Sequence, residues 1–249
     1  MEARINYIVN WMQDYVDDAG ADGVIVGVSG GIDSALAAAL MQRGFPGRSL
    51  GVIMPINQTV TDQADALDLV HTLDMPYYGI ELTETYQTQI KTIQAQLQEQ
   101  WNTEQEQLVR ANLQARIRMG TLYALAQNFN YLVVGTGNKA ETYTGYFTKY
   151  GDGASDMEPL RNLTKKEVYQ MSEYLGVSDA ILNKQPSAGL WEGQTDEKEM
   201  GVSYDHIDAF LRGEDIPNKS ADIIKSLHKR SAHKREVPPG PMPYRKGDA

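Results

Sequence analysis

Val24-Ile25-Val26-Gly27-Val28-Ser29-Gly30-Gly31-Ile32-Asp33-Ser34-Ala35-Leu36 carries the fold in one stretch, because a strand passes into a helix through a turn suited to phosphate. Val24 to Val28 is a short, apolar, β-branched run, the pattern of a strand covered on both faces in a parallel sheet. Ala35 to Met41 are good helix formers without a breaker, so the period changes from strand to helix across the turn. Between them Ser29, Gly30 and Gly31 free the backbone of bulk, and N–H groups can approach an anion at the positive end of the helix dipole. Ser29 and Ser34 add hydroxyl donors. Asp33 is the oddity, since a carboxylate beside phosphates makes sense chiefly when a cation lies between them. The turn is neither a Walker A loop, which needs Lys before Ser or Thr, nor GxGxxG. A Gly-Gly turn that merely caps a helix is common, so the glycine pair alone decides nothing.

Composition bounds the rest. A chain of 249 residues is long enough for one sizeable α/β core. Residues 1–236 read as a single domain and residues 237–249 as a Pro-rich, irregular tail. The net charge of −10 repels a nucleic-acid backbone, so no nucleic-acid partner is expected. With 0 cysteines, disulfides, thiolate metal sites and a cysteine nucleophile are excluded. Met1 to Asn10 carries Glu2 and Arg4 and lacks a signal-type apolar core, and no apolar run approaches the ~20 residues of a membrane span. A cytoplasmic location without membrane association is the expectation.

Outward from the turn, Ile5, Ile8, Val9, Met12 and Val16 fall at helical spacing before Gly20 stops the helix. Ser49 to Met54 and Pro76 to Ile80 read as strands, with a helix between them capped by Thr61 and buried through Ala66, Leu69, Val70 and Leu73. Strand, helix, strand, helix, strand argues for a parallel sheet with right-handed crossovers and helices on both faces. Thr83 to Asn102 looks like a Gln tract, yet Ile90, Ile93, Leu97 and Trp101 form one stripe of an amphipathic helix. A further helix from Glu104 to Asn128 carries Arg116 and Arg118 on different faces. Two such long helices suit a homodimer interface. Tyr131 to Gly135 is a fourth strand with a Gly-rich exit, the place where open α/β sheets hold ligands. Glu141 just beyond it offers a second carboxylate for Mg²⁺, although spacing alone fits a helix-start glutamate favoured by the dipole equally well.

Thr144 to Asp156 packs aromatics, glycines and charges together, as a ligand-binding loop does. Thr164-Lys165-Lys166-Glu167 is a capping box, with Val168, Met171 and Leu175 on the buried face of its helix. Lys165 opens that helix, an unfavourable place for a cation unless it answers a phosphate. Gln185 to Glu199 is a polar loop of active-site-lid length, Tyr204 to Leu211 a helix, and His228 to Arg235 a basic run suited to an anionic substrate.

Ser-Gly-Gly-x-Asp-Ser after a strand resembles the pyrophosphate loop of the N-type ATP pyrophosphatases, which transfer AMP from ATP to a substrate oxygen and release pyrophosphate. The absence of cysteine counts against the thiol-using members of that superfamily. Adding Thr144-Gly145-Tyr146-Phe147-Thr148-Lys149-Tyr150-Gly151-Asp152-Gly153, Leu163-Thr164-Lys165, Gly201-Val202-Ser203-Tyr204-Asp205 and His233-Lys234-Arg235, the chain is similar to the ammonia-dependent NAD⁺ synthetases from about Ile5 to Pro238. The resemblance implies that ATP is bound by Gly27, Val28, Ser29, Gly30, Gly31, Ile32, Asp33, Ser34, Thr136, Lys165 and Ser187. It implies Mg²⁺ on Asp33 and Glu141, and nicotinate adenine dinucleotide (deamido-NAD⁺) on Arg116, Lys149, Asp156, His233 and Lys234 of a homodimer. Ser187 stands where the family often has Thr, and Gly137-Asn138-Lys139 departs from a common family sequence. The implied reaction is adenylation of the nicotinate carboxylate followed by attack of ammonia, with Lys165 acting on the leaving pyrophosphate and Asp152 as the group that deprotonates ammonium. A GMP synthetase-like ligase and an ATP-binding protein without chemistry are the alternatives.

Overall fold

The structure, a computed structural model, describes residues 1–57, 60–187 and 195–243, without the side chains of 60–62. Helix α1 (Glu2–Ala19) buries Ile5, Ile8, Val9, Met12 and Val16 and ends at Gly20 in the left-handed region. The Ser29-Gly30-Gly31 turn joins β1 (Gly23–Gly27) to α2 (Ile32–Gly44), so the strand closes one residue earlier than its apolar run. Then come β2 (Ser49–Ile53), α3 (Val60–Thr72) and β3 (Tyr77–Gly79). The side chain of Thr61, the expected cap of α3, lies outside the described residues.

Helix α4 (Thr83–Leu97) is shorter than its stripe implied. Gln98 takes a positive φ of 46° and starts a short 3₁₀ turn, which breaks the register before Trp101. Leu97 is accordingly 39% exposed, while Trp101 packs half-buried against the core. Helix α5 (Glu106–Phe129) leads into β4 (Tyr131–Val133). The C-terminal part is helical: α6 (Lys139–Thr144), α7 (Lys165–Tyr174), α8 (Asp179–Leu182), α9 (Asp196–Met200), α10 (Tyr204–Leu211), α11 (Asn218–Arg230) and α12 (Ala232–Arg235). The polar loop expected from Gln185 to Glu199 thus gives way to α9 at Asp196, and residues 188–194 within it lie outside the described residues. Residues 237–243 of the tail carry no regular secondary structure, and 244–249 lie outside the described residues.

All strand pairs are parallel, in the order β3-β2-β1-β4. The side-chain period of a strand separates the two faces of the sheet. Val24, Val26 and Val28 point toward α1, α2, α3 and α7, whereas Ile25, Val52 and Val133 point toward α4 and α5. A third cluster joins α6, α9, α10 and α11 through Ala140, Met200, Ile207, Ile224 and Leu227. Each fully buried aliphatic side chain contributes about 1.5–3 kcal/mol, so these clusters fix the sheet and hold the C-terminal helices to it. The chain runs from β1 outward to β2 and β3, then returns to place β4 on the other side of β1. That reversal makes the carboxyl ends of β1 and β4 the switch point, where a crevice opens. Among the described residues no helix is long and apolar enough to cross a membrane.

The capping box of α7 is present: the Thr164 side chain accepts from Glu167 N, and Glu167 accepts from Thr164 N at 2.8 Å. Glu167 also pairs with Arg4 of α1. Burial works against its charge, but Arg4 and the cap hold the Glu167 carboxyl below the usual glutamate range. A depressed folded pKa contributes stability above the unfolded value that disappears as pH falls through the folded one. Glu167→Gln is therefore expected to cost about 0.5–1 kcal/mol at neutral pH in chemical denaturation. The difference from the parent should close below the ordinary glutamate range, and a pH-independent difference would refute this account.

Candidate active site

Gly27 leaves β1 against Met54 at the end of β2, where an added Cβ would lie 3.3 Å from the Met54 methyl carbon. Gly30 then adopts a φ of 77°, which a side chain would strain, and Gly31 caps α2. The loop hydroxyls hold its shape: Ser29 Oγ and Ser34 Oγ are 3.0 Å apart, Gly31 N donates to Ser29 Oγ, and Ser34 Oγ donates to Gly31 O. Val28 and Ile32 are core residues with 4% and 5% exposure, so at these two positions only the backbone is available to a ligand. Thr136 is half-buried in the turn after β4, on the same rim.

Asp33, in the first turn of α2, meets Lys165 from the first turn of α7: Nζ donates to Asp33 Oδ2 at 2.5 Å and lies 3.5 Å from Glu141 Oε1. The cation that opened its helix without a partner in sequence is thus answered by carboxylates. The N–H groups of Lys165 and Lys166 donate to the buried Asp208 of α10, which supplies the anion the helix start favours. Asn138, fully buried, ties the centre together. Its Nδ2 donates to Asp33 Oδ1 at 2.9 Å while its Oδ1 accepts from Glu141 N, the cap of α6. The Tyr204 hydroxyl lies 2.9 Å from Asp196 Oδ2 and 3.1 Å from Glu141 Oε1, and Lys165 Nζ sits over its ring.

Three carboxylates, those of Asp33, Glu141 and Asp196, thus gather around one ammonium. Burial pushes the Glu141 carboxyl up and Asp33 adds to the effect, with Lys165 opposing both. Burial would lower the Lys165 pKa, but Asp33 and Glu141 outweigh it and hold the ammonium protonated. The centre holds three acids to one ammonium, with Glu141 raised toward its neutral form, so a cation that displaces its proton fits there. Among the described residues no group of three or more His, Cys, Asp or Glu forms a metal cage. Asp33 and Glu141 nonetheless match what Mg²⁺ asks of protein, one or two carboxylates with phosphate oxygens and waters completing the shell.

The residues expected around the dinucleotide form a chain from α5 to α12. Arg116 Nε donates to Lys149 O, Lys149 Nζ donates to His233 O at 2.6 Å, and Lys234 Nζ donates to Gly145 O and Phe147 O. The basic run is therefore tied to the loop before any anion arrives, and His228 and Arg235 both donate to Tyr143 O. Asp156 stands apart at β4, accepting from Val133 N at 2.7 Å and from the Tyr123 hydroxyl. Asp152 accepts from Thr148 N and keeps an exposed surface; the protein crowded around its carboxyl nevertheless raises its pKa against that hydrogen bond. Ser187 is exposed at the edge of the described residues, next to Pro186, whose carbonyl accepts from Asp196 N.

Sequence reasoning left Asn138, Asp196, Tyr204 and Asp208 without roles. Asn138 had a readable signal, since Asn followed three residues later by Glu is a capping-box spacing. The other three reach the centre only through the packing of α9 and α10. Asn138→Ala is expected to cost about 1–2 kcal/mol through loss of the α6 cap. Turnover should fall by tenfold or more, because Asp33 loses the donor that aims it; unchanged turnover in a destabilised variant would refute the positioning role.

Residues 4–238 match the family model described as NAD synthase. The NH(3)-dependent NAD(+) synthetase of Alkaliphilus oremlandii (strain OhILAs) is 49% identical over 243 residues, covering 97% of each chain. Among solved structures, NMN synthetase from Francisella tularensis has a TM-score of 0.90 at 42% identity, covering 97% of this chain and 98% of its own. NH3-dependent NAD synthetase from Campylobacter jejuni subsp. jejuni, in complex with nitrate, has a TM-score of 0.78 at 28% identity, covering 96% and 97%. A parallel sheet whose switch point gathers a phosphate loop, a lysine and a carboxylate pair, matched in sequence from end to end, makes this chain a member of the NAD synthase family.

Proposed function

We propose that this chain converts deamido-NAD⁺ to NAD⁺ with ATP and ammonia, in the cytoplasm and as a homodimer, with residues 1–236 acting as one catalytic unit. The observation that carries the reading is the Asp33–Lys165–Glu141 centre beside the phosphate loop. A nicotinate carboxylate oxygen attacks the α-phosphorus of ATP, the bond to the β-phosphate bridging oxygen breaks, and pyrophosphate leaves. Ammonia then attacks the acyl carbon, loses a proton, and expels AMP.

Backbone N–H groups of Gly30 to Ser34 and the Lys165 ammonium receive the charge of the departing pyrophosphate; such preorganised groups typically dominate the rate enhancement. Asp33 and Glu141 would hold Mg²⁺, which supplies charge neutralisation on the phosphate oxygens. Thr136 and Ser187 face ATP. Arg116, Lys149, Asp156, His233 and Lys234 bind the dinucleotide. Asp152 accepts the proton lost from ammonium, a task suited to a carboxyl whose pKa is raised. The exposed Leu97, Leu108 and Val109 of α4 and α5 support the homodimer, being 39%, 55% and 39% exposed in one protomer.

A second reading concerns the size of the acceptor. The likeness to a protein named NMN synthetase, at a TM-score of 0.90 against 0.78 for the Campylobacter enzyme, favours testing nicotinate mononucleotide beside the dinucleotide.

AMP formation with ATP, Mg²⁺ and ammonium chloride should be stoichiometric with NAD⁺ when deamido-NAD⁺ is supplied. A larger kcat/KM for nicotinate mononucleotide would establish the second reading, and no product from either acceptor would reject both. Asp33→Asn is expected to lower kcat by about 10²–10³ and to weaken the dependence on Mg²⁺. Asp152→Ala should slow amidation more than ATP–pyrophosphate exchange; equal loss would remove Asp152 from the proton-accepting role. Light scattering of the parent and of Leu108→Glu checks the dimer, the variant being expected as a monomer.

A further inference from the structure

Arg118 is a half-buried cation that none of these roles uses. It projects from the middle of α5, its Nε donates to the Met54 carbonyl at 2.9 Å, and its Nη2 is sealed from solvent without a hydrogen-bond partner. Among the described residues it forms no ion pair within 4.0 Å. A guanidinium carries five donors and cannot shed its charge, and burial lowers the Arg118 pKa to about 10. A half-buried cation whose sealed Nη2 has no partner costs stability, so its retention asks for an anion that arrives from outside.

The position of that anion follows from the neighbours of Arg118 on its own helix face. Residues three and four apart on a helix adjoin. Leu122, one turn on, would lie 3.9 Å from a Cβ added to Gly27 at the head of the phosphate loop. Ala115, one turn back, would lie 2.9 Å from a Cβ added to Gly151, beside Asp152. Arg118 therefore stands between the loop that receives ATP phosphates and the loop that carries Asp152, and the Asp152 charge reaches it without contact. In the proposed reaction the nicotinate carboxylate and the α-phosphate of ATP must meet in that interval.

We propose that Arg118 is a catalytic residue of the adenylation step: its half-buried guanidinium, which has no ion partner, binds the α-phosphoryl oxygens as the carboxylate attacks. The Met54 carbonyl fixes one edge of the fork, so the guanidinium is aimed before ATP binds. Arg118 neutralises charge on the α-phosphorus, whereas Lys165 acts at the leaving pyrophosphate. This assignment rests on the reading of the chain as a nicotinate-nucleotide amidating enzyme.

The test is ATP–pyrophosphate exchange dependent on a nicotinate nucleotide, with thermal unfolding of the ligand-free protein, for Arg118→Met and Arg118→Lys. The methionine variant fills the same space without charge. It should lose exchange by 100-fold or more with an unchanged or higher Tm, and lysine should restore only a small part of the rate. A lower Tm in the methionine variant with exchange within threefold of the parent would overturn the proposal and leave a structural role for the Met54 contact. Should the methionine variant not fold, exchange within threefold of the parent in Arg118→Lys overturns it alone, since a point charge cannot replace the fork. A parent protein without exchange on either nicotinate nucleotide would refute the amidation reading instead. Calorimetric affinity for α,β-methylene-ATP, which needs no acceptor, then decides Arg118: tenfold weaker binding in the variants supports contact with the α-phosphate, and equal binding overturns it.

Discussion

The ammonium of Lys165 between the carboxylates of Asp33 and Glu141 is the interaction on which the rest of the structure depends. Lys165 and its partners come from the first turns of α7, α2 and α6, and a buried ion pair is stable only when its geometry and further hydrogen bonds repay desolvation. Asn138 and Tyr204 supply those bonds, and Asp208 fixes the helix from which Lys165 projects. Helix starts are natural meeting points for anions and for the groups that bind them. Three such starts converge because the chain reverses direction across the sheet between β3 and β4.

The centre is also out of charge balance by design of its composition. One ammonium faces Asp33, Glu141 and Asp196, and Glu141 is driven toward its neutral form by burial and by Asp33. Beside the phosphate loop the imbalance is reversed, where Arg118 is half-buried and its Nη2 has no partner. The site thus holds a surplus of acids around Lys165 and a surplus guanidinium at Arg118. Both surpluses cost stability in the empty protein and diminish when the complementary charges arrive, which is how a binding site differs from a core.

The loop from Thr144 to Asp156 and helix α12 behave as one piece. Gly145 has a φ of 69°, and an added Cβ would fall 2.1 Å from Ser231 Cβ, so the backbone passes there only because the residue is glycine. Ser231 Oγ donates to Thr144 O, and Lys234 donates to the carbonyls of Gly145 and Phe147. The last basic residues of the chain are thereby organised around the loop, and their cations stand on its surface without needing a ligand to order them.

Much of the fold was legible in the residues alone. The unbroken apolar run Val24 to Val28, the stripe Ile5 to Val16 stopped by Gly20, and the Thr164–Glu167 box each act over a few residues, where local sterics and hydrogen bonds decide the outcome. The end of α4 was not legible, because the stripe continues to Trp101 while the backbone turns at Gln98 for want of a core to cover Leu97. Within the site, the phosphate loop, Asp33 and Lys165 could be singled out by chemistry out of place: glycines before a helix, a carboxylate beside phosphate, a cation at a helix start. The answer to that misplaced lysine was decided only by tertiary structure. Asp33 lies 132 positions away in the chain, and Asp196 and Tyr204 approach only because α9 and α10 pack over α6. Sequence by itself determined which groups could bind phosphate and charge. Which charges would be paired and which left open depended on long-range packing, since Coulomb energy is set by distance and burial and neither is written along the chain.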